Sequence, residues 1–349
     1  MRTLNSNLTF FTLHSSLFTL HSSLFTLKIM QIIQFLKNWT LPVAIVVGTL
    51  CYLTFYFVPA LDAAGEAMGS FFDIFFPVCV FFTLLVTFCK VDFHQMRLHR
   101  WHLTLFLGQL CLVALNIAII LWWCESDNDR ILWESVLTCI IAPCAAAAPV
   151  VTGKLGGNIS TMTTYTLFSS LVASLLIPAA FPILEPTEGV SFIVAFFAIL
   201  EKLCVVLVLP LLMAYVIRHH LHSLHQKIVS KPNLGFYFWA VSLSITTGIT
   251  VKNIVHCEAG VGFLVMIALM SLAVCIVHFV IGRAIGSFYG EKINAGQGMF
   301  QKNTALAIWV SYMYLHPIAS IGAGCYVLWQ NVINSIEIKL HETKPEYLH

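Results

Sequence analysis

Residues Gly296–Ala307 read GQGMFQKNTALA. Gln297, Gln301, Lys302, Asn303 and Thr304 are gathered here inside a run otherwise apolar enough to cross a bilayer. A lysine at the centre of a spanning helix costs about 2 kcal/mol or more on insertion scales. Such a group is tolerated where protein or water surrounds it, so the cluster asks for a functional explanation. The plainer reading is a helix end near the interface with Lys302 snorkelling to water.

The rest of the chain is consistent with a bilayer setting. It is 59% hydrophobic and 10% charged, against about 25% charged in a soluble domain. A net charge of +2 with no long basic run sets nucleic acid aside as a partner. The cysteines are scattered through apolar runs without Cys-x-x-Cys pairs, as small hydrophobes rather than a disulfide framework. Intramembrane hydrolysis wants paired acids or His–Glu spacing. His278 has no acid at i±3 or i±4, so no enzyme is expected.

Phe11–Leu27 repeats FTLHSSL and is neither a signal peptide nor a span. Residues 1–37 are therefore expected to be a leader, with the natural protein beginning at Met30. Beyond it, ten apolar segments are predicted, at about 39–61, 70–91, 101–123, 131–153, 158–184, 190–217, 233–252, 260–283, 290–315 and 317–338. Loops holding Lys90, Arg97 and Arg100, then Lys154, then Arg218, Lys227 and Lys231, then Arg283 and Lys292, alternate with loops poor in basic residues. Adding Arg2, Lys28, Lys37, Lys339 and Lys344, 14 of 18 Lys and Arg fall on one side. The positive-inside rule then places both termini, including a tail at 341–349, in the cytoplasm of a cell with the protein in its inner (plasma) membrane.

Ten spans divide into an inverted repeat of five plus five, residues 38–189 and 190–340, the architecture of many secondary transporters. Spans four and nine, equivalent in the two halves, carry interruptions. Span four reads IIAPCAAAAPVVTGKLGGN, in which Pro143 and Pro149 should unwind the helix, with Gly157 behind them. Span nine is expected to break at Gly296 and Gly298. Broken helices at matching positions are a pointer to a transport site.

The run PCAAAAPVVTGKLGGNISTMTTYTLFSSLVASLLIP, Pro143–Pro178, resembles the bile acid:sodium symporter superfamily without a gap. Pro143, Thr152, Gly157, Asn158, Thr166, Ser169 and Pro178 carry the likeness. KVDF at Lys90–Phe93, Gln109 in span three and QKNTAL at Gln301–Leu306 extend it. The resemblance implies an all-α membrane protein with a panel of spans one, two, six and seven and a core of the other six. It implies spans four and nine crossing at their breaks, sodium behind the crossing, and substrates such as bile acids, sulfated steroids and keto acids.

The chain departs from that pattern where sodium would bind. The family's small-residue–Asn pair falls on Ala148 and Pro149, its helix-nine Glu on Gly298 and the following Gln on Lys302. Thr166 and Gln109 alone do not supply the five or six oxygens a hard cation wants, so the sodium sites are expected to be degenerate. Lys302 could replace the ion as a built-in cation or pair with a substrate anion. Burial disfavours a lysine's charge, so it could instead titrate, favouring protons or no coupling ion over sodium. No other cofactor is implied.

The substrate pathway is thus expected to draw on Lys302, Gln301, Asn303, Thr304, Gln297, Gln109, Thr152, Asn158, Thr166 and Cys144, with a small anion and the bilayer as partners and a monomer or homodimer as the assembly. Ala-Pro-Cys at Cys144 is similar to arsenite-efflux carriers of the same fold, which offers metalloid export as an alternative; packing is the plainer role. Glu201 and Lys202 could face a cavity or snorkel. His219, His222 and His225 at i, i+3, i+6 could hold zinc but read more simply as a solvated loop. A cavity reaching Lys302 is the mark of a carrier, and a closed bundle that of a non-transporting receptor or sensor.

Overall fold

The computed structural model describes residues 40–90, 96–186, 189–231, 234–256 and 260–343. The FTLHSSL repeat, Met30, most of the KVDF stretch and the last six residues lie outside these.

Among the described residues the chain is helical. In order come α1 (Thr40–Phe57), α2 (Asp62–Cys89), α3 (Arg100–Trp123), α4 (Asp127–Ile141), α5 (Ala148–Lys154), α6 (Ile159–Leu184), α7 (Phe192–Leu203) and α8 (Leu209–His220). They are followed by α9 (His222–Val229), α10 (Leu234–Val255), α11 (Gly260–Tyr289), α12 (Lys292–Phe300), α13 (Thr304–Tyr314) and α14 (Ser320–Thr343).

Of the ten expected segments, five coincide with helices long and apolar enough to span by themselves: Ala63–Cys89, Arg100–Trp123, Ile159–Leu184, Phe192–His220 and Gly260–Tyr289. Each exceeds the roughly 20 residues that cross a hydrocarbon core. Their lipid-facing sides are apolar, with Trp122 and Trp123 fully out at the end of α3, where amphipathic rings suit a membrane interface. The protein is a multi-pass membrane protein. Phe192–His220 includes a wide turn over Cys204–Val208. Pro210 lacks the amide that would bond back to Val206 and crowds that turn, a common origin of a local π-bulge.

Two groups of helices pack. α10 lies against α1 and α2, and α2 against α8. Separately, α3, α11 and α14 surround α4, while α12 folds back on α11 and α13 on α14. Gly282 and Gly286 permit the α11–α12 hairpin: a Cβ on them would meet the carbonyls of Ala295 and Glu291 at 2.7 and 2.6 Å. α6 joins the groups by packing on α7.

The two interrupted segments behave differently from their sequence reading. α4 ends at Ile141 and Pro143 lies in the gap before α5, as its missing donor dictates. Pro149, however, breaks nothing. It sits in the first turn of α5, where its absent N–H has no intrahelical partner to lose. Gly296 and Gly298 are helical within α12, and the unwound residues are Gln301–Asn303 instead. Gly298 is there for space, since a Cβ would stand 3.0 Å from Leu105 and Tyr165. Gly157 lies between α5 and α6, where a Cβ would meet Asn294 and Thr152 at 2.6 Å. Arg283, assigned above to a loop, is inside α11 and pairs with Glu337 of α14.

Candidate functional site

The unwound stretches Ala142–Ala147 and Gln301–Asn303 cross antiparallel, pairing Cys144 with Lys302. Unwinding leaves amides and carbonyls that cannot stay bare in a membrane protein. The crossing satisfies them mutually: the Ala145 amide donates to the Gln301 carbonyl at 2.9 Å and the Asn303 amide to the Pro143 carbonyl at 2.8 Å. Side chains complete the set. The Cys144 amide donates to Ser169 Oγ at 2.9 Å and the Lys302 amide to Gln330 Oε1 at 2.8 Å. Gln109 Nε2 reaches the carbonyls of Ile140 and Ala142 at 3.0 and 3.2 Å, capping the end of α4.

Lys302 is 1% exposed, and its Nζ has no hydrogen-bond partner among the described residues. Cys139, Cys144 and His278 are within electrostatic reach of it. His278 Nδ1 lies 3.0 Å from the Tyr326 hydroxyl, which itself donates to the Phe300 carbonyl at 2.8 Å. With the hydroxyl proton spent there, the imidazole donates from Nδ1, and its buried Nε2 is left a bare acceptor.

Several expected pathway residues take structural bonds. Asn303 Oδ1 accepts the Leu306 amide and caps α13, with Thr304 as the first residue of that helix. Asn158 Oδ1 accepts the amides of Ser160 and Thr161 and caps α6. Thr166 Oγ1 donates to the Met162 carbonyl at 3.0 Å and lies 3.6 Å from Cys144 Sγ. Thr152 is buried on α5 with its hydroxyl unpartnered among the described residues. Around the crossing the structure thus gathers Lys302, Gln301, Asn303, Cys144, Gln109 and Thr166, and holds Thr152 and Asn158 at the far end of α5.

Gln297 and Gln301 belong to a buried chain that sequence reading did not assemble. Gln301 Nε2 donates to Gln297 Oε1 at 2.6 Å and to Asn334 Oδ1 at 3.3 Å. Gln297 Nε2 donates to Glu337 Oε2 at 2.5 Å, and the other Glu337 oxygen holds Arg283. Gln330, Asn334 and Glu337 stand at i, i+4 and i+7 of α14. That spacing puts them on one helix face and was available as a signal.

Other candidates disperse. Lys202 Nζ stands 5.6 Å from the Tyr314 ring centre, a cation–π distance. His219 bonds the Tyr215 carbonyl and His225 the Cys89 carbonyl, so their rings point to separate partners. Two cavities, about 470 and 400 Å³, open at the Glu134 end of the molecule. The first lies between α6, α7 and α13; neither is lined by Lys302.

Comparison with curated proteins returned no match. The sequence does match the Sodium Bile acid symporter family over residues 77–257, which takes in Gln109, the Pro143 break and α6. That span is more than half of the chain, and it lies on an all-helical, multi-pass protein with a mutually bonded crossing of two broken helices. The chain belongs to the sodium bile acid symporter family, a family of secondary transporters.

Proposed function

We propose that this protein carries a small organic anion by alternating access, with Lys302 standing in place of a coupling sodium ion. The observation that carries this reading is the Lys302 side-chain nitrogen, buried at the crossing and unpartnered among the described residues. A sodium ion at that spot would meet the Lys302 amine, and would be repelled whenever that amine carries its proton. At about 4 Å and an effective dielectric near 20, two unit charges repel by about 4 kcal/mol. Two side-chain oxygens, Gln109 Oε1 and Thr166 Oγ1, also fall short of the five or six that a hard cation wants, while the Gln109 amide nitrogen is held by the α4 carbonyls and the Thr166 hydroxyl donates to Met162. A carboxylate in place of Gly298 would collide with Leu105 and Tyr165.

In this reading the α4/α5 and α12/α13 pairs are the fourth and ninth of ten spans in a five-plus-five inverted repeat. The group α1, α2, α7–α8 and α10 is the panel that rocks against the remaining helices. The termini and the Lys154 end face the cytoplasm; the Glu134 end, where the cavities open, faces out. Lys302 sets the electrostatics of the crossing while the anion binds between the groups, where the cavity between α6, α7 and α13, which in this structure stops short of Lys302, would admit it. Lys202 at the Tyr314 ring adds a positive charge near that cavity.

The test is thermal stabilisation of the purified protein by organic acids, steroid sulfates and metalloid oxyanions, with and without sodium, followed by uptake of the best anion into proteoliposomes. Uptake should proceed with sodium replaced by potassium, and Lys302→Ala should abolish it. Strict sodium dependence, or undiminished uptake by Lys302→Ala, would overturn the proposal. Stabilisation by arsenite alone, lost in Cys144→Ser, would select metalloid export instead.

A further inference from the structure

The span α8 stops at His220 and the chain bends at Leu221, so that α9 (His222–Val229) leaves it and packs against α8 and α2. His225 fixes the helix there: its Nε2 donates to the carbonyl of Cys89, the last residue of α2, at 2.8 Å. That carbonyl is one of the four that a helix end leaves without an internal partner. Ile228, nearly one turn on, packs against the core. Even so, no residue of α9 is buried.

At about 100° per residue, α9 divides into two halves. His222, Ser223, Gln226 and Lys227 make one, and Leu224, His225, Ile228 and Val229 make the other. The packing uses the middle of the second half, through His225 and Ile228. Leu224 on one side of it and Val229 on the other stay 43% and 40% exposed, and Leu221 at the bend 49%. The charge is one-sided as well. The chain has no Asp or Glu from Leu203 to Cys257. Within that length Lys227 and Lys231 are exposed, with His220 and His222 beside them. Lys90 and Arg218, at the same end, have interactions of their own, and Asp92 lies outside the described residues. The available charge is therefore that of Lys227 and Lys231.

We propose that α9 is an interfacial anchor, with Leu221, Leu224 and Val229 entering the boundary between headgroups and acyl chains while Lys227 and Lys231 bind the phosphates of anionic phospholipids. An amphipathic helix holds to a bilayer surface by buried apolar area together with attraction to anionic lipid. Both parts are present here, at the end of a span whose Leu212, Tyr215 and Val216 already face outward. Lys227 borders Leu224 on the helix surface, so its stem covers the apolar rim while its ammonium reaches the phosphates. A free phosphate would match the charge but leave the three apolar side chains in water, and this favours the bilayer as the source of the anion. Through the His225–Cys89 bond the anchor holds the Lys90 end of α2, and through Leu221 the end of α8, at the membrane surface.

Hydrogen–deuterium exchange of the full chain reads this at residues 221–231, in nanodiscs of phosphatidylcholine alone and of phosphatidylcholine mixed with phosphatidylglycerol. The anionic lipid should slow exchange there by up to about five-fold for each lysine engaged, and high salt should shrink the difference. The double variant Lys227→Gln/Lys231→Gln should exchange alike in both lipids, whereas Lys227→Arg/Lys231→Arg should keep the difference. Leu224→Gln should exchange faster than wild type in both. Equal exchange of the wild type in the two lipids, or a difference that survives high salt, would overturn the anchor even if the Gln variant did not fold. So would the same difference in a folded Gln variant. Inorganic phosphate reproducing the effect in phosphatidylcholine alone would point to a free anion and overturn the lipid assignment. The measurement uses neither substrate nor sodium, so its failure and that of the carrier reading are separately visible.

Discussion

Lys302 and Gly298 show how a single residue reads differently once its neighbours are known. As sequence, both are departures from a family pattern. In the structure they are complementary: the position that would hold an acid is tightly packed against Leu105 and Tyr165, and the position of a neutral amide holds a buried lysine amine. Restoring the acid should therefore fail. Gly298→Glu should lower stability by on the order of 2 kcal/mol or more through overpacking against Leu105 and Tyr165, read as a fall in melting temperature in detergent, and sodium should not reverse it. Stabilisation of that variant by sodium would show that the site is latent rather than closed. Lys302 was legible because charge inside an apolar run stands out. Gln330 was not, because an amide near a helix end is ordinary until its oxygen is found on the Lys302 amide.

Among the elements, the two breaks differ in origin. The one at Pro143 is local chemistry, since proline withholds a donor wherever it is placed in a helix. The one at Gln301–Asn303 contains no proline or glycine, and tertiary bonds to Ala145, Pro143 and Gln330 hold it open. The glycines just before it drew the sequence reading to the wrong turn. Gln109 acts at this scale as a cap on α4 from another helix. Gln109→Leu should strand those carbonyls and cost about 1–3 kcal/mol, whereas Gln109→Asn should fall between, as a shorter amide reaching fewer of them. Equal stability in wild type and Leu variant would show that the α4 carbonyls find other partners. Glu337→Gln should be more severe, about 3–5 kcal/mol, because it leaves Arg283 paired with a neutral amide in a buried setting. A double variant with Arg283→Leu recovering part of that loss would identify the pair as the cause.

For the whole molecule, the charge bias of the loops makes a prediction about orientation. A fluorescent protein fused after His349 should fluoresce in intact cells, as a cytoplasmic fusion does, and a reporter requiring export should be active when inserted beside Asn128 but silent beside Ser230. The opposite pattern would invert the molecule and with it the side from which the Glu134 cavity is reached. Hydropathy alone determined that this is a helical membrane protein, because a spanning helix must be apolar over its length wherever it sits. Proline alone determined the first break. Only the tertiary structure decided the second break, the burial of Glu134, the Arg283–Glu337–Gln297–Gln301 chain and the pairing of Cys144 with Lys302. Each of these depends on groups remote in sequence satisfying one another away from water. A polar residue in an apolar run says that it needs a partner; the packing of the helices says which one it has.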